Sequence, residues 1–201
     1  PAELTPGWPL ARERVRQAAQ LVHFHKPNKD ELLIGIDPAL GRSGQAPAPE
    51  LLHQLAREIA GQVACRILPL SGPGVPERMR RFEALLGDVP SGLARDSVLD
   101  VLLLLGQCDL FVAPNTDLFH VAVAHGVPTI GLFAPDEDPR WWPPPDSTAH
   151  VVTVAPGERL ESAGVLAKVA SIAGGRGAKV RVRPASPASP AAPAAIPPGG
   201  G

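Results

Sequence analysis

Between two apolar runs the chain reads Pro-Asn-Thr-Asp-Leu-Phe-His, residues 114 to 120. Asn115 and Thr116 carry short side chains whose oxygens can accept a hydrogen bond from an amide two or three residues ahead, as a helix N-cap requires. A helix starting there leaves its first amides without intrahelical partners, and the positive end of its dipole reinforces them. Such an end can receive a phosphate. Every helix needs a cap, however, so the pattern leaves open both an anion cradle and a plain helix start.

Other reactive residue types are sparse. Cys65 and Cys108 sit in separate apolar runs, outside any Cys-x-x-Cys or Cys/His cluster, and read as buried thiols of a reducing compartment. His23 and His25 form a His-x-His pair with no third ligand nearby, too few for a metal site. Asp136, Glu137 and Asp138 invite a Mg2+ reading on a nucleotide diphosphate, whereas their place in a Pro-rich loop argues against it. Trp141 and Trp142 follow, able to stack on a sugar or base or to anchor that loop; the anchor is the preferred reading.

The elements that would hold these residues alternate. Leu32–Ile36, Val63–Leu70, Asp109–Ala113, Thr129–Phe133 and His150–Val154 read as buried strands, set between helical stretches at 49–61, 76–87, 97–107, after Thr116 and within 158–174. Ser97 and Asp100 have capping-box-like spacing. Apolar strands separated by helices imply an α/β fold, a Rossmann-like parallel sheet with helices on both faces. In such sheets ligands bind beyond the carboxyl ends of the strands, where the Asn115–Asp117 break falls. Residues 1–30 read as a lead-in or linker helix, 31–174 as the folded domain and 175–201, rich in Pro and Ala, as a disordered tail.

Bulk properties narrow the function. A formal net charge of -1 over 201 residues gives no basic surface for nucleic acid. No apolar run is long enough for a membrane span and no signal peptide opens the chain, so a cytoplasmic location is expected. The basic start of the tail, Arg176 to Arg183, reads first as a solvated charge cluster and allows at most a weak contact with a partner or with acidic lipid at the inner face of the membrane. The chain begins at Pro1, which leads us to expect a fragment or a processed product.

The run Asn115-Thr116-Asp117-Leu118-Phe119-His120, then HGVPTIGLF and APDEDPRWWP, resembles glycosyltransferase family 9, the ADP-heptose:lipopolysaccharide heptosyltransferases. The family pattern is Asp-(Thr/Ser)-Gly-x-x-His, a small-residue helix, Gly-x-Pro and a Phe-Gly-Pro-Thr-Asp-Pro-x-x-Trp loop. IGIDPALGRS and LPLSGPGVPER resemble two further loops of the family, and the likeness runs from about residue 30 to about 155. It implies the C-terminal, donor-binding half of a GT-B fold, with a nucleotide-diphosphate sugar as co-substrate, no cofactor and no metal. It also implies a glycan or lipid-linked acceptor and a missing N-terminal domain, in cis or trans, that carries the catalytic carboxylate. By position, Thr116 and the backbone of Asp117 and Leu118 would face the diphosphate, with His120 one turn on. Arg42 would pair with a phosphate and Glu77 with the ribose hydroxyls. Each of these also reads as a cap, a packed helix residue or a solvated charge.

Two departures bear on donor binding. Asn115 stands for the usual Asp, and Asp117 for a Gly, placing a carboxylate where backbone should approach an anion. The expectation is a cell-envelope glycosyltransferase half, inactive without its other domain. The alternative is a non-catalytic binding module derived from the same fold. A dinucleotide oxidoreductase fits worse, because DPALGRSG rather than Gly-x-Gly-x-x-Gly follows the first strand.

Overall fold

The structure, a computed structural model, describes residues 31–72, 74, 76–87, 97–155 and 162–175, together with Arg16, Ala19 and Gln20. The expected lead-in helix, apart from the helical Arg16, Ala19 and Gln20, lies outside the described residues, as do the His23/His25 pair and the tail beyond Gly175.

Five strands form one parallel sheet: β1 (Leu32–Ile36), β2 (Cys65–Pro69), β3 (Leu110–Ala113), β4 (Thr129–Phe133) and β5 (Ala149–Thr153). Their order is β2-β1-β3-β4-β5. From β1 the chain leaves through α1 (Pro49–Gln62) to β2 on one side. It returns to β3 on the other side of β1 through a connection whose described residues form two helices, α2 (Pro76–Leu86) and α3 (Val98–Leu105). β3 then passes through α4 (Asp117–Ala124) to β4, and α5 (Ser162–Gly175) follows β5. The connections after β1 and β3 therefore diverge, which opens a crevice at the carboxyl ends of these adjacent strands.

Strand periodicity assigns the two faces. Leu32, Ile34 and Ile36 of β1, with Val112, Ile130 and Leu132, pack against Leu52, Leu55 and Ile59 of α1, Phe82 of α2 and Val165 and Val169 of α5. On the opposite face Leu33, Phe111, Ala113 and Phe133 meet Val101 and Leu104 of α3 and Leu118, Phe119 and Ala122 of α4. Glycine makes this second face possible. A Cβ on Gly131 would stand 2.8 Å from the Phe133 ring and 2.9 Å from the Phe119 ring, and one on Gly35 would stand 2.8 Å from Phe111. Three fully buried Phe rings, Phe111, Phe119 and Phe133, thus occupy the space that side chains on these strand glycines would take.

Local chemistry sets the helix ends near the site. Ser97 caps α3: its Oγ accepts from the Asp100 amide at 3.1 Å and donates to Asp100 Oδ2 at 2.6 Å, so the two residues of the capping-box spacing are bonded to each other. α4 starts at Thr116 and stops at Gly126, whose φ of 69° suits glycine. There the Val127 amide donates to Ala122 O and the Gly126 amide to Val123 O, both at 3.0 Å. Gly61 does not end α1, which runs on to Gln62.

Candidate active site at the β1–β3 crevice

The loop after β1 and the start of α4 meet across the crevice. The Asp37 amide donates to Val112 O and the Arg42 amide to Asn115 O, both at 2.9 Å, which ties the loop to the end of β3. Gly41 faces the same segment, where an added Cβ would fall 2.9 Å from Gln45 O and 3.4 Å from the Asn115 amide nitrogen. Between them lies a cleft of about 360 Å3, lined by Asp37, Arg42, Ser71, Thr116, Asp117 and Leu118 among others. Its location is the one expected for ligands in a doubly wound sheet.

Thr116 is the N-cap. Its Oγ1 accepts from the Phe119 amide at 3.3 Å and donates to Asp37 Oδ2 at 2.9 Å. The hydroxyl proton is thereby directed to Asp37, while Thr116 itself lines the cleft. What remains for an anion is backbone, the Asp117 and Leu118 amides in the first turn of α4. Leu118 belongs to the core and is also among the residues that line the cleft.

Asp37, within the IGIDPALGRS motif, is a site residue that sequence reasoning misses. It is fully buried, and its Oδ1 accepts from the Ala39 amide at 2.9 Å. Burial pushes its carboxyl above the ordinary carboxylate range, and the hydrogen bonds from Ala39 and Thr116 offset part of that rise. A charged residue directly after a strand buried on both faces was the available signal.

Arg42 and Asp117, 75 residues apart, come together at the mouth of the cleft. The guanidinium donates to the Asp117 carboxylate and lies 4.1 Å from the centre of the Trp141 ring. The Asp117 side chain is 87% exposed, so the pair is a surface contact. Exposed pairs contribute about 0.2–1 kcal/mol and an exposed cation–π contact about 0.5–1 kcal/mol. Arg42 can accordingly change partners at small cost.

Behind the mouth lies a buried polar network. Asn115, 1% exposed, donates from Nδ2 to Glu137 Oε1 at 2.6 Å, and its Oδ1 stands 2.8 Å from His120 Nε2. Glu137 also accepts from Ser43 Oγ at 3.2 Å. Burial, and next the Arg42 charge, hold the His120 imidazolium below its ordinary pKa, so His120 is neutral near pH 7. The ring meets Phe119 at 5.2 Å and Trp141 at 5.9 Å between centroids.

Of the residues singled out beforehand, Arg42, Thr116, Asp117 and Leu118 share the cleft, and His120 sits one turn behind it. Glu77 is exposed in the first turn of α2 and does not line the cleft. Its neighbour Arg78 instead bonds the β1 loop, donating to Pro38 O at 2.6 Å and Pro47 O at 2.7 Å. The Asp136–Asp138 run does not converge on one point, since Glu137 turns inward and Asp138 binds Arg140. Among the described residues no group of three or more His, Cys, Asp or Glu is placed to hold a metal ion. Trp142 packs edge-on to Phe133 at 5.8 Å, as an anchor would. No helix among the described residues is long and apolar enough to cross a membrane.

The sequence profile of glycosyltransferase family 9 (heptosyltransferase) matches residues 77–163, which include α4 and the Glu137 loop but not Asp37 or Arg42. A Haemophilus influenzae protein bearing a provisional glycosyltransferase name is 28% identical over 127 residues, 60% of this chain and 37% of its own length. The E. coli ADP-heptose LPS heptosyltransferase II structure superposes with a TM-score of 0.60 at 21% identity, over 89% of this chain and 56% of that one. A glycosyl transferase family 9 structure from Veillonella parvula gives 0.57 at 15% identity, over 80% and 51%. The chain thus spans little more than half the length of these proteins at most, and shares with the two structures the α/β layer of a GT-B-like fold.

Proposed function

We propose that this chain, which belongs to glycosyltransferase family 9, forms the donor-binding half of a sugar transferase and holds the diphosphate of a nucleotide-sugar at the N-terminus of α4. The observation that carries this reading is the cleft at the β1–β3 switch point, with the Asp117 and Leu118 amides on one side and Arg42 on the other. In transfer, an acceptor hydroxyl attacks the anomeric carbon, the bond to the diphosphate breaks and negative charge grows on the departing oxygens. Amides and a guanidinium aimed at that point stabilise the developing charge. Transfer also needs a base for the hydroxyl proton. We assign that base to the remainder of a longer protein, facing this cleft from a second domain. The heptosyltransferase resemblance supports a heptose-like donor sugar and a lipopolysaccharide or other envelope acceptor, handled at the inner face of the membrane.

A non-catalytic binding module is the second reading, favoured by the Arg42–Asp117 pair that spans the mouth of the cleft. Calorimetric titration with ADP, UDP and GDP separates the two. The donor-site reading predicts saturable binding of one of them. It also predicts that Asp117→Gly, which frees Arg42 and removes a carboxylate from the helix start, tightens binding about tenfold, equivalent to about 1.4 kcal/mol. Absence of binding to all three at millimolar concentration, in both wild type and Asp117→Gly, excludes the donor site and leaves the module.

A further inference from the structure

The network behind the cleft fixes more than the fold requires. Glu137 reaches in from the loop after β4 and is 8% exposed, so its carboxylate meets little water. Both of its oxygens accept, Oε1 at 2.6 Å from Asn115 and Oε2 at 3.2 Å from Ser43 Oγ. The Asn115 group 2.6 Å from Glu137 Oε1 must therefore be the NH2, and the Asn115 oxygen must point at His120. An amide oxygen also only accepts, so the bond at 2.8 Å requires a proton on His120 Nε2. A neutral ring with its proton on Nε2 has none on Nδ1. One carboxylate thus dictates, through one amide, where the imidazole proton sits.

We propose that Glu137 is a positioning residue: through the Asn115 amide it commits neutral His120 to the Nε2–H tautomer, leaving Nδ1 as a hydrogen-bond acceptor. Resting on the donor-site reading above, this deepens it, because it states which ligand chemistry His120 can meet. An acceptor nitrogen takes a hydrogen bond from a hydroxyl, of the donor sugar or of the acceptor, and has no proton for a diphosphate oxygen. In this arrangement anion recognition belongs to the Asp117 and Leu118 amides and Arg42, and hydroxyl recognition to His120.

The network also accounts for Asn at position 115. A carboxylate there would face Glu137 across the space of a 2.6 Å hydrogen bond, and like charges so close do not both ionise. Asn115 and Glu137 are matched to each other.

Long-range 15N–1H spectra of the imidazoles, recorded on the labelled chain above pH 7 and assigned with His120→Gln, read the tautomer directly. The wild type is expected to show a protonated Nε2 and an unprotonated Nδ1. Glu137→Met removes the acceptor, frees the Asn115 amide to flip and is expected to bring the two nitrogen shifts toward each other as tautomers mix. A wild-type ring protonated on Nδ1, or a folded Glu137→Met chain with unchanged ring shifts, overturns the proposal. If Glu137→Met does not fold, Asn115→Asp and the double variant Asn115→Asp/Glu137→Gln read the same contact through urea midpoints. The single substitution should lower the midpoint and the double should restore it, since Gln supplies the donor that Asn115 supplied. A double variant no better than the single one overturns the proposal. These readouts need no ligand, so a failed nucleotide titration would sink the donor site without deciding the tautomer, and the reverse holds as well.

Discussion

Asp37 is the residue on which burial and chemistry conflict most. Its carboxyl is raised by desolvation, so the folded chain binds its proton more tightly than the unfolded chain does. The stability it contributes is fully present below the ordinary carboxyl value of 3.8 and is lost as pH rises through the folded value. Asp37→Asn keeps an oxygen for the Ala39 amide and an NH2 for Thr116 Oγ1 and has nothing to ionise. Urea midpoints across pH should show the variant gaining on the wild type as pH climbs above the ordinary carboxyl range, and matching it in stronger acid. His120 works in the opposite sense: its lowered pKa contributes stability above 6.5 that is lost as pH falls, equally in both proteins. The comparison between proteins therefore isolates Asp37. Sequence reasoning could narrow the cap to Asn115 or Thr116 from type and position, but it could not see that the Thr116 hydroxyl proton is taken by a side chain 79 residues away. Arg42 and Asp117 show the same limit, as their pairing depends on strand order, which no local pattern encodes.

Among the elements, α4 decides whether a site exists at all. It is eight residues long, and an isolated helix of that length does not hold in water. Its position comes from Phe119 and Leu118 on the sheet, the Thr116 cap and the Gly126 stop. Gly131 is the point of least tolerance. Adding one methyl forces it against the Phe119 and Phe133 rings at under 3.0 Å, and both rings are fully buried. Gly131→Ala is expected to cost about 1–3 kcal/mol, the usual range for overpacking, read as a fall in denaturation midpoint with an unchanged slope. Because Phe119 is the third residue of α4, nucleotide affinity should fall with it. Element existence was legible because strand and helix periods are local: β1 and β4 match their expected limits, and Ser97 and Gly126 mark helix ends. Less legible were the edges of β2 and the role of Gly61, where the helix continues through a residue that usually stops one.

At the scale of the molecule, one sheet carries two apolar faces of different character. The face under α1, α2 and α5 is aliphatic except for Phe82, while the face under α3 and α4 holds three Phe rings over glycine. The candidate site lies on the aromatic side, where α4 starts at the crevice. The parallel fold followed from apolar strands set between helices. The switch point did not, since only the observed order shows β1 and β3 adjacent with diverging connections. Anion binding there is the claim from which every functional statement descends. Amide 15N–1H shifts of the intact chain, followed during titration with ADP and Mg-free buffer, test it most directly. The account predicts that the Asp117 and Leu118 amides move farthest and saturate together with changes at Arg42 and Gly41. Shifts confined to other loops while Asp117 and Leu118 stay still would contradict it.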